Sequence, residues 1–67
     1  MDSLIFFQHR CEAIGSSATD EQVAQLVDWL VDHVPQALWG NASAVALDSG
    51  IDGLSADISM RMGESGL

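Results

Sequence analysis

Ser43-Ala44-Val45-Ala46-Leu47-Asp48-Ser49-Gly50 is the stretch on which the architecture of this chain turns. It is a short apolar run closed by Asp-Ser-Gly, a turn signal. Read with period two, Val45 and Leu47 share one face and small alanines take the other, which predicts a buried strand over 43–48. Read with period 3.6, the same alanines favour a helix. The strand reading makes the chain α/β, in the order helix, helix, short strand. The helical reading makes it a small all-α helical bundle, because a strand without a sheet has no stability of its own.

Upstream, the patterning is plainer. Thr19 is suited to cap a helix and Gln22 completes a capping box, with Asp20 and Glu21 placed to complement the helix dipole. Val23, Leu26, Val27, Leu30 and Val34 follow the i, i+3, i+4, i+7, i+11 pattern of one buried face, opposite a wet face of Glu21, Gln25, Asp28 and Asp32. Pro35 ends this helix near Val34, which predicts a helix over 19–34. Trp29, Val31 and Ala24 widen its apolar surface beyond what one small helix would cover, so a dimer or a larger body is expected. The candidate interface residues are Val23, Leu26, Val27, Trp29, Leu30, Val34 and Trp39. Further back, Leu4, Phe7, Cys11 and Ile14 form one stripe, with Asp2 or Ser3 as cap and Gly15 as terminator, predicting a helix over 1–15. Residues 36–40 read as a connection. The last stretch, 52–67, is rich in Gly, Ser and acid and reads as loop and tail, with Ile58, Met60 and Met62 packing locally.

Composition narrows the function. A single domain is all that 67 residues allow. A chain this short buries only about 60% of its unfolded surface, and small proteins usually compensate with a disulfide, a metal or a partner. Cys11 is the single cysteine, which excludes an intramolecular disulfide and suits a reducing, cytoplasmic setting. Ten acidic residues face Arg10 and Arg61, for a net charge of −8 without any lysine. That balance argues against nucleic acid and anionic membranes and leaves solubility or a basic partner surface as its meaning. No stretch approaches the ~20 apolar residues of a membrane span.

From Ala18 to Gly50 the chain resembles the C-terminal end of short-chain dehydrogenases/reductases. The resemblance rests on Thr19-Asp20-Glu21-Gln22-Val23-Ala24, on Trp29-Leu30, on Trp39-Gly40, and on Ala44-Val45-Ala46-Leu47-Asp48-Ser49-Gly50. Gly50-Ile51-Asp52 is similar to 3α-hydroxysteroid dehydrogenase/carbonyl reductase members of that family. Ser49 stands where the family usually has a glycine, and the interval from Gly40 to Asp48 is longer than usual. The resemblance implies the end piece of a Rossmann-like, doubly wound NAD(P)-dependent oxidoreductase, inactive alone. Such a piece supplies a subunit interface and a substrate lid, for which Phe6 and Phe7 are the candidates. The six glycines form no dinucleotide-binding motif, and the tyrosine and lysine of the family's catalytic pair are both missing. The chain alone therefore has no catalytic residue, cofactor site or metal site assigned, and NAD(P) enters only with a Rossmann-like partner chain. The other reading is a self-standing acidic helical protein that binds a protein partner, or dimerises, through its apolar face, with Trp29 and Trp39 as anchors.

Other constellations are thin. Asp48, Asp52 and Gly53 match positions 1, 5 and 6 of a calcium loop, but Gly50 at position 3 has no side-chain oxygen and Ser59 stands at position 12 in place of the bidentate Glu. His9, Cys11 and His33 offer zinc three ligands and no fourth. The serines lack a G-x-S-x-G turn.

Overall fold

The computed structural model describes residues 2–65. Its described residues form four α-helices: α1 (Ser3–Ile14), α2 (Asp20–His33), α3 (Trp39–Asp48) and α4 (Asp52–Ser65). Short 3-10 turns at Gly15–Ser17 and Gln36–Leu38 join the first three. No strand occurs among the described residues, so the α/β expectation is corrected to a small all-helical bundle.

Each helix boundary has a local cause. Asp2 is extended, and its carboxylate accepts the Leu4 N–H at 3.0 Å to cap α1. Gly15 ends α1 at φ +52°, ψ −149°, a region that side chains with a Cβ avoid. At α2, Thr19 Oγ1 accepts the Gln22 N–H at 3.2 Å, and Gln22 Oε1 accepts the Thr19 N–H at 2.8 Å. The capping box is therefore formed in both directions. Val34, the residue before Pro35, is extended at φ −102°, ψ 124°, and α2 stops there.

The run 43–48, expected as a strand, lies within α3. Trp39, Ala42 and Ala46 are buried, Ser43 and Val45 half-buried, and Leu47 is 55% exposed. That is helical periodicity, and it separates Val45 from Leu47, which a strand would have kept on one face. The Asp-Ser-Gly turn ends a helix instead of a strand. The Ile51 N–H donates to the Ala46 carbonyl at 2.8 Å and the Gly50 N–H to Leu47 at 3.0 Å, with Gly50 at φ +82°. These two bonds are the Schellman motif. The reason is packing: alanines 42 and 46 let α4 approach α3 closely, and this pair is the most extensive contact in the molecule.

The stretch expected as loop and tail is also corrected, because residues 52–65 form α4; residues 66–67 lie outside the described part. Ile51, Leu54, Ser55 and Ile58 are buried and Met62 half-buried, the same i, i+3, i+4, i+7, i+11 spacing as α2. Ser43 and Ser55 share a hydrogen bond of 2.8 Å across the α3–α4 seam. α1 rests mainly on α3 and α2 mainly on α4, with α1 and α2 also in contact. Among the described residues, twelve buried apolar side chains from all four helices and the turns beside them make one continuous core. The radius of gyration is 10.6 Å. A compact chain of this length is expected near ~11 Å, so the core is closed and the helices are not splayed.

Candidate functional site

The residues that sequence placed at a partner interface mostly face inward. Leu26, Val27, Leu30, Val34 and Trp39 are buried, and Val23 and Trp29 are half-buried against the same core. The broad apolar surface of α2 is covered by the chain's own α1 and α4. Phe7 is fully buried while Phe6 is 47% exposed. Adjacent residues on a helix point about 100° apart, so these two aromatics cannot share one lid surface.

Trp29 organises the outer edge of the α1–α2 seam. Its ring stacks near-parallel with Phe7 at 6.2 Å and with His33 at 4.6 Å, and the Arg10 guanidinium carbon lies 5.1 Å from its centre. Arg10 is therefore held as a cation on an indole face. The His33 Nδ1–H donates to the Trp29 carbonyl at 2.9 Å; a carbonyl only accepts, which places the ring proton on Nδ1. His33 thereby caps the carbonyl end of α2, where positive character is favourable.

Cys11 is fully buried. Burial, and secondarily the nearby Glu12, push its thiol up to about 11, so the nucleophilic thiolate is suppressed. Among the described residues no three His, Cys, Asp or Glu side chains gather as a metal-binding group. Asp48 and Asp52 sit on opposite sides of the Schellman turn, at the end of α3 and the start of α4.

Two surface features remain. The outer face of α2 exposes Asp20, Glu21, Asp28 and Asp32. At the carbonyl end of the same helix, residues 31–36 and Trp39 line an open groove of about 520 Å³, His33 and Gln36 among them. Val31 is 41% exposed there. Sequence reasoning did not single out Val31, Asp32 or Pro35 as site residues. The available signal was Val31 itself, an apolar residue off the buried stripe and next to an acid and a helix-ending proline.

Among the described residues no helix is long and apolar enough to cross a membrane. No family model, curated protein or solved structure matches the chain.

Proposed function

We propose that this chain is a self-standing acidic helical module that works by binding a protein partner with a basic surface, in a reducing cytoplasmic setting. One observation carries the reading: the core closes within the chain, and its buried polar side-chain atoms among the described residues all have partners. A chain whose four helices close one core between them does not need a larger body to supply that core, although Ile5, Phe6, Val31, Leu47 and Met60 stay exposed. The oxidoreductase end piece drew on a strand at 43–48, and that run is α3, so the helical reading has the better support. What the surface then offers is charge. A net −8 carried by ten acids and two arginines favours a positively charged protein and disfavours a second copy.

The test is in two steps. Far-UV circular dichroism through a urea titration, on the chain at a known oligomeric state, is expected to show a strong helical signal lost in one transition. A weak signal without a cooperative transition would overturn the self-standing reading. Affinity capture on the folded chain is then expected to retain basic proteins that elute as salt rises. Retention of neutral or acidic proteins alone would overturn the choice of partner.

A further inference from the structure

Taking the binding-module reading as its basis, we propose that the groove at the carbonyl end of α2 receives a partner segment in which an arginine or lysine stands beside an apolar side chain. The groove combines the two halves of such a ligand. Val31 and Pro35 supply an exposed apolar wall, with the buried Val34 and Trp39 behind it. Asp32 supplies a carboxylate on the rim, with Asp28 one turn behind it on the same exposed face.

The backbone adds to the negative side. The last carbonyls of a helix carry the negative end of its dipole. At α2 the Leu30 carbonyl takes the Val34 N–H, and the Val34 carbonyl takes the Trp39 indole N–H at 2.9 Å. The Val31 carbonyl has no such neighbour, since its i+4 residue is Pro35, which lacks an N–H. A strong acceptor therefore stands beside an exposed valine and a free carboxylate.

Charge selects the occupant. Phosphate backbones and anionic lipid surfaces are repelled by Asp28 and Asp32. A second copy brings the same −8 and only two cations, and Arg10 is already placed over Trp29. A basic segment with an apolar neighbour satisfies the wall, the carboxylate and the helix end together. His33, which also lines the groove, is held against Trp29 by its hydrogen bond and ring stacking.

The experiment is a ¹⁵N NMR titration of the full chain with a blocked peptide of alternating leucine and arginine, beside the same peptide with glutamate for arginine. The expected result is that shifts concentrate on backbone amides from Val31 to Trp39 and on the Trp39 indole N–H, for the arginine peptide only. Asp32→Asn and Val31→Ser should each weaken binding about two- to fivefold. Their amide spectra, unchanged away from the substitution, show that both variants remain folded. Binding with shifts centred elsewhere, unaffected by either substitution, overturns the groove while the module reading stands. Absence of binding by the arginine peptide, with the folded spectrum intact, also overturns the groove; the module reading is judged separately by the unfolding and capture measurements.

Discussion

Trp39 is held in two ways at once, by burial of its ring and by the hydrogen bond from its indole N–H to the Val34 carbonyl. The bond spans Pro35 and ties the end of α2 to the start of α3. Trp39→Phe keeps most of the apolar volume and removes the donor, leaving a largely buried carbonyl unpaired. It should cost about 1–3 kcal/mol, read as a lower urea midpoint with unchanged slope. Cys11 makes a prediction about pH. The sequence holds neither lysine nor tyrosine, so between pH 9 and 11 its thiol is the main group to titrate. The folded state keeps the proton to about pH 11, whereas the unfolded thiol loses it near 9.0. The unfolded state then binds fewer protons, so stability is full below pH 9 and falls as pH rises toward 11, by at most roughly 2–3 kcal/mol. Unfolding measured at pH 8 and pH 10.5 should show this loss, and Cys11→Ala should flatten it. An equal loss in both proteins would assign the alkaline weakness elsewhere.

The helices differ in how their ends are made. α2 announces itself through Thr19 and Gln22, because a capping box is a local device and needs no tertiary partner. The α3–α4 corner depends on Gly50, at φ +82° with space for a Cβ only 3.1 Å from the Ser16 Cβ. Gly50→Ala therefore meets backbone strain and a tight contact that Ser16 must yield to, and should destabilise by roughly 1–3 kcal/mol. Gly53, inside the first turn of α4, has nothing within 4 Å of its would-be Cβ. Gly53→Ala should stabilise by about 0.4–1 kcal/mol through the unfolded chain's lost freedom. Thermal melts of the two variants are expected to move in opposite directions; a shift of the same sign would contradict the assigned corner. The helical signal of α4 is weak because glycines and serines dilute it, and the buried position equivalent to Val27 of α2 is a serine, Ser55.

At the level of the whole molecule the dominant strain is charge. Two arginines cannot neutralise ten acids, so like-charge repulsion opposes the compact state. Raising salt from ~10 mM to ~0.5 M shortens the screening length several-fold and should raise the urea midpoint. A midpoint that falls or stays level would show that the acids are individually compensated. The closed core also alters the meaning of the apolar surface of α2. Counted along one helix it exceeded what a small partner helix covers; in three dimensions α1 and α4 cover it together.

Local chemistry written in the chain determined α1 and α2: caps, a stripe at helical spacing and a proline stop act within one turn of the residues that carry them. The acidic balance and the lone thiol were equally legible, since they are sums over residues. Asp48-Ser49-Gly50 marked a chain reversal in the sequence, but a glycine at positive φ serves a hairpin, a strand end and a Schellman cap alike. Only tertiary packing decided among them. Alanines 42 and 46 are poor strand residues and weak helix anchors until another helix lies on them, and that helix, α4, comes from a segment with little apolar signal of its own. Residues 43–48 are helix and not strand, and 52–65 are helix and not tail, for one reason: burial is settled between segments, not within them.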